Sequence, residues 1–121
     1  MLSKLKVLFM AVLLLSCGKA LPVLDGIDSE KWKADRDACQ GYRQSVVISL
    51  KSELSKLKGL SEMDVIHLLG KPDENELYKR NQKFYSFFIS PGPNCHSADT
   101  SAQKLILRFN AMGYAQLVSV E

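Results

Sequence analysis

Three kinds of apolar pattern divide the chain. The first is a stripe at helical spacing. Trp32, Cys39, Tyr42, Val46, Leu50, Leu54 and Leu57 lie 7, 3, 4, 4, 4 and 3 residues apart, which predicts a long helix. Asp28 or Ser29 can cap it, Glu30 sits well in its first turn, and Gly59 ends it. Lys31, Lys33, Asp35, Arg36, Asp37, Lys51, Glu53, Lys56 and Lys58 mostly take the other faces. Gly41 is a weak point, costing about 1 kcal/mol relative to Ala, so the helix starts late or bends there.

The second pattern is a short helix with its start and stop written in. Ser61 caps it, Asp64 can reach back, and Leu60 can staple onto Val65. Val65, Ile66, Leu68 and Leu69 cover one side. Gly70 suits the left-handed C′ position and Pro72 prevents continuation. So short a helix is unstable alone, and it must pack on something.

The third pattern is alternation. Lys83, Tyr85, Phe87 and Ile89 alternate with Gln82, Phe84, Ser86 and Phe88, so both faces of this strand carry aromatics. Pro91-Gly92-Pro93 breaks it, and a polar loop runs on to Ser101. In Lys104 to Asn110, Leu105, Leu107 and Phe109 point inward. Asn110 to Gly113 is a turn, and Tyr114 to Val120 is the last strand. The polar stretch from Asp73 to Asn81 is either a short extra strand or an irregular crossing. Three antiparallel strands with an apolar face need a cover, and the helices supply it. The expected fold is α+β: two N-terminal helices packed on a three-stranded antiparallel sheet, α-α-β-β-β, in two layers.

The N-terminus stands apart from these patterns. Lys4 and Lys6 precede an unbroken apolar run from Val7 to Leu15. The run is too short to span a membrane and has the flanks of an export signal. Leu14-Leu15-Ser16-Cys17 resembles the lipobox of bacterial lipoproteins. That resemblance implies diacylation of the Cys17 sulfur before residues 1–16 are cleaved off, then acylation of its freed nitrogen, and two or three acyl chains give stable anchoring. Gly18 stands where an Asp would signal retention in the inner membrane, which favours the outer membrane with the domain facing the periplasm. Residues 17–28 then read as lipidated cysteine and tether, Gly18 to Ile27 being the linker, and residues 29–121 as the domain.

Composition narrows the function classes. The chain has 121 residues, 46% apolar and 24% charged, enough for one globular domain. Its net charge of +3 falls to +1 when Lys4 and Lys6 leave with the signal, 14 basic against 13 acidic side chains. No basic stripe or motif points to nucleic acid. With Cys17 set aside, Cys39 and Cys95 remain, and an even pair in an exported protein reads as a disulfide. The competing reading is a metal site using Cys39, Cys95, His96 and His67, but the spacing is not that of a metal motif. No nucleophile elbow, metalloprotease helix or phosphate loop is present, so no catalytic residue, metal or cofactor is expected. Trp32, Phe84, Phe88 and Arg108 are the candidates for contact with a partner, with core packing the bland alternative for the aromatics.

Three stretches together carry a family resemblance: Gly59-Leu-Ser-Glu-Met-Asp-Val-Ile-His-Leu-Leu-Gly-Lys-Pro72, Phe84-Tyr85-Ser86-Phe87, and Leu105-Ile-Leu-Arg-Phe-Asn-Ala-Met-Gly113. In order and spacing they resemble the SmpA/OmlA (BamE-like) lipoprotein domain over about residues 59 to 120. The resemblance implies helices on one face of a three-stranded sheet, an architecture related to the β-lactamase-inhibitor-protein repeat. It also implies a non-catalytic envelope scaffold, or an accessory of outer-membrane β-barrel assembly. The alternative from the related architecture is a periplasmic inhibitor or sensor. The long charged helix and the cysteine pair depart from the family pattern.

Overall fold

The computed structural model describes residues 20–78, 82–96 and 101–121. The residues read as an export signal, and Cys17, lie outside these residues. Among the described residues the fold is α+β, with helical segments covering one face of an antiparallel sheet.

The long helical stripe is not one helix. It is divided into α1 (Ser29–Ala34), a 3-10 turn (Arg36–Ala38), α2 (Tyr42–Ser45) and α3 (Val47–Leu57). Asp28 caps α1, its carboxylate accepting from the amides of Glu30 and Lys31 at 3.0 and 3.2 Å. The break comes from Asp35, which is 1% exposed. Its carboxylate accepts from the amides of Gln40 at 2.7 Å and Arg43 at 3.0 Å. An acidic side chain that binds amides ahead of it competes with the helical ladder and turns the chain. The turn passes through positive φ at Asp37, Ala38 and Gly41. Periodicity survived because the interrupted pieces still point their apolar residues the same way.

The short helix α4 (Glu62–Leu69) forms as its punctuation predicts. The Ser61 hydroxyl accepts from the Asp64 amide at 3.1 Å. Gly70 donates back to the Ile66 carbonyl at 2.8 Å. Its φ of 84° with ψ of −174° is not the left-handed helical cap but a more extended conformation open to glycine.

The sheet has four strands, not three: β1 (Glu74–Tyr78), β2 (Gln82–Phe88), β3 (Lys104–Phe109) and β4 (Ala115–Val120), in that spatial order. The extra strand β1 has almost no apolar signal, and main-chain pairing to β2 makes it, Asn75 opposite Tyr85 and Glu76 opposite Phe84. Phe84 lies opposite Arg108 across β2–β3, and Leu107 opposite Val118 across β3–β4. The β3–β4 turn closes on Asn110, whose side chain accepts from the amides of Met112 and Tyr114. Backbone bonds between Ala115 and the Gly59–Leu60 link tie the start of β4 to the helical layer.

The core lies between the layers. Leu50 and Leu57 of α3, Val65 and Leu69 of α4, and Trp32 of α1 meet Tyr85, Phe87, Leu105, Leu107 and Phe109 of the sheet. The reading of residues 17–28 as a tether is corrected from Leu21 onward. Leu24 is 5% exposed within the core, and Leu21 and Ile27 pack against it. An apolar stretch flanked by Pro and Gly has no period, so its docking is invisible to pattern.

Candidate interaction surface

The charged groups best buried in the protein form a knot, not an open site. Arg43 has no exposed surface and is stacked between rings, its guanidinium 4.9 Å from the Trp32 centroid and 5.9 Å from that of Phe87. Its Nη1 pairs with Asp73 at 2.6 Å, and both side chains are buried. Nε and Nη1 also donate to the carbonyls of Trp32 and Phe88 at 3.0 and 3.2 Å. Asp73 in turn accepts from the amides of Asp37 and Phe88 at 3.1 and 2.9 Å. One ion pair therefore joins α1, the 3-10 turn, α2 and β2. The pair is sealed from solvent and holds structure, with only the Arg43 Nη2 lacking a hydrogen-bond partner among the described residues. Neither residue was singled out in the sequence, because each looks like one more surface charge.

Next to the knot the Cys39–Cys95 disulfide is formed, spanning a sequence separation of 56. The Gly92 amide donates to the Asp37 carbonyl at 2.9 Å. Together these fix the Pro91–His96 loop on the 3-10 turn. Both thiols are spent in the bridge, which removes them as metal ligands. Among the described residues no group of three His, Cys, Asp or Glu side chains is placed to hold a metal ion. His67 and His96 are both exposed and far apart in the chain.

The fixed loop explains one misplaced candidate. Phe88 shares its strand face with Phe84 and Ser86 but is only 2% exposed. The loop lies on its ring so closely that a Cβ on Gly92 would come within 2.7 Å of it. The Lys104 ammonium sits 5.2 Å from the ring centroid on its way to Glu74, 2.9 Å away. Phe88 is therefore unavailable to a partner. Trp32, the other aromatic anchor expected from sequence, is 0% exposed and belongs to the core. Both are corrected as contact candidates.

Phe84 and Arg108 remain together on the outer face of the sheet, each half-buried. Arg108 donates to the Gln82 side chain through Nε and Nη2 at 3.1 and 2.7 Å. They line a shallow hollow of about 280 Å³ with Ile106, Leu117, Glu76 and Ser119. Leu117 is 53% exposed. The hollow mixes apolar contact with both signs of charge, as the polar-rimmed patches used in protein contacts do. The sequence pointed to Phe84 and Arg108 but not to Leu117, whose outward phase shows only once the register is known.

At one end of the sheet the Tyr85 hydroxyl donates to Glu62 at 3.1 Å, and Lys83 pairs with the same carboxylate oxygen at 3.1 Å. Burial, and then the negative charge of Glu62, push the Tyr85 hydroxyl above its ordinary pKa. On α3, hydrogen bonding to Glu53, with Asp25 adding to it, raises Lys56.

Neither protein-family models, nor curated proteins, nor solved structures give a match to this chain.

Proposed function

We propose that the chain is a lipid-anchored interaction module of the bacterial envelope. Acyl chains on Cys17 tether it to the outer membrane, and the free face of its sheet receives a protein partner. The observation that carries the reading is that face: Ile106, Leu117 and Phe84 lie among Glu76 and Arg108, and among the described residues no helix covers them. The lipobox-like Leu14-Leu15-Ser16-Cys17 supports the anchor. The resemblance to the SmpA/OmlA domain supports an accessory role in barrel assembly, with a fourth strand added to the sheet which that resemblance implies. The module works by binding and not by catalysis, in keeping with the motifs of its sequence.

The test uses a photo-crosslinking residue at Leu117 or Ile106 of the full chain in its own membrane, with exposed Gln44 as control. Crosslinks to a barrel-assembly component from the sheet positions only, lost in Phe84→Asp, support the reading. Equal crosslinking from Gln44 overturns the assignment to the sheet face. Cys17→Ser is expected to abolish incorporation of labelled palmitate, and label retained on that variant overturns the anchor.

A further inference from the structure

We infer that the outer surface of the helical layer, around the docked Leu21–Ile27 strap and the crest of α3, rests on the lipid surface, so that the free sheet face is turned away from it. The inference deepens the proposed function and rests on acylation at Cys17.

The strap belongs to the helical side of the molecule. Lys56 of α3 donates to the Val23 carbonyl at 3.0 Å and pairs with Asp25 at 3.4 Å. Gly26 passes so close to α3 that a Cβ there would sit 2.8 Å from the Ser49 hydroxyl. On the other side of the strap, Leu68 and Leu69 of α4 share an apolar hollow of about 150 Å³ with Val23 and Leu24. The strap thus runs over the helices, on the side of the core away from the free sheet face.

Docking shortens the reach of the anchor. Only Gly18, Lys19 and Ala20 separate Cys17 from Leu21. Four peptide units span at most about 14 Å, whereas a free tether through Ile27 would allow more than twice that. An acylated Cys17 therefore holds the strap close to the headgroups, and the layer carrying the strap comes with it.

The surface beside the strap suits that position. α3 turns Leu50, Glu53 and Leu57 inward. Helical geometry then puts Ile48, Ser52 and Ser55 on the opposite crest. Ile48 is 83% exposed on this crest and Val23 75% exposed on the strap beside it. Lys51 and Lys58 are exposed along the flank of the crest. The acids nearby are already engaged, Glu53 and Asp25 both pairing with Lys56. Apolar side chains flanked by free lysines match a membrane interface, where stems lie in the acyl boundary and ammonium groups stay with anionic headgroups.

The acylated full chain is placed in vesicles of phosphatidylethanolamine and phosphatidylglycerol carrying a nitroxide on the headgroup. A fluorescent noncanonical residue replaces Ile48 or Leu117, both exposed, leaving the disulfide intact. Quenching is expected to be several-fold stronger at position 48 than at 117. A long Gly/Ser insert between Gly18 and Lys19 is expected to shrink that difference by restoring a free tether. Equal quenching, or stronger quenching at 117, in protein whose mass shows the acyl chains overturns the orientation while leaving the anchored reading in place. Protein that carries no acyl mass overturns the anchored reading and the orientation with it.

Discussion

The two faces of the sheet come from the same strands and have opposite fates. On the inner face Tyr85, Phe87, Leu105, Leu107 and Phe109 are all at or below 5% exposure. On the outer face Phe84, Ser86, Ile106 and Arg108, one residue away, are each half-buried. Composition does not separate them, since Phe84 and Ile106 are as apolar as their neighbours. Cover separates them. Helices and strap seal the inner face, and the Arg43–Asp73 pair and the disulfide clamp part of that cover to β2. The outer face is closed at one corner, where the Gly92 loop sits on Phe88. Exposure at Leu117, 53%, is therefore a property of what the described residues leave uncovered.

The clamp offers the sharpest way to break this contrast. Asp73→Ala leaves the Arg43 guanidinium buried beside no counter-charge, and the expected loss is about 3–5 kcal/mol, read from urea unfolding. A loss under about 1 kcal/mol would show that water reaches Arg43 and that the knot is not a clamp. Arg43→Met with Asp73→Leu is expected to recover only part of the loss, because the Asp37 and Phe88 amides still lack their acceptor.

The disulfide comes next. Closing a loop across a separation of 56 residues is worth about 4 kcal/mol in chain-entropy terms. Unfolding of the Cys39→Ser/Cys95→Ser protein measures it. The same variant is expected to uncover Phe88 and extend the open face, which protease cleavage within 91–96 reports.

A smaller effect decides whether the strap is part of the inner cover. Leu24→Ala is expected to cost about 2–3 kcal/mol as a core truncation. A linker residue would cost almost nothing, and unchanged stability would return residues 21–27 to the tether.

The pH profile probes the rim between the faces. The Tyr85 hydroxyl has a raised pKa in the folded protein, so the native state holds that proton more tightly than the unfolded chain. The associated stability is complete below the ordinary tyrosine value of about 10 and is lost as pH climbs from there through the native value. Tyr85→Phe is expected to flatten this alkaline limb and to cost about 1 kcal/mol at neutral pH through the lost bond to Glu62. An unchanged limb would assign the alkaline loss to other groups, Lys56 among them.

The smallest effect on stability belongs to the open face. Leu117→Ser is expected to shift unfolding by no more than about 0.5 kcal/mol while weakening partner crosslinking. A large destabilisation would mean that the outer face is part of the core after all.

Legibility in the sequence followed the range of the interaction. The α4 helix was readable to its ends because Ser61, Gly70 and Pro72 act on backbone within a few residues. β2, β3 and their inward series were readable because alternation is local. The break at Asp35 was not, since it depends on its carboxylate finding the Gln40 and Arg43 amides. β1 was legible only as one of two readings of Asp73–Asn81, because Leu77 and Tyr78 are its only apolar residues and pairing with β2 makes it a strand. Trp32 and Phe88 were misplaced as surface anchors for the same reason. An aromatic on a stripe or a strand states only that it will be covered by something.

The amino-acid pattern by itself determined the helical cover, the antiparallel sheet and the inner series of the core, and it favoured the pairing of Cys39 with Cys95 that the structure forms. Local periodicity and capping need no knowledge of distant residues. Only the tertiary structure decided that Leu21–Ile27 docks, that Arg43 and Asp73 meet, and that Phe84, Ile106 and Leu117 are left on the open face. Those outcomes depend on which segments arrive to bury or satisfy a group, and burial is settled between layers, not along the chain.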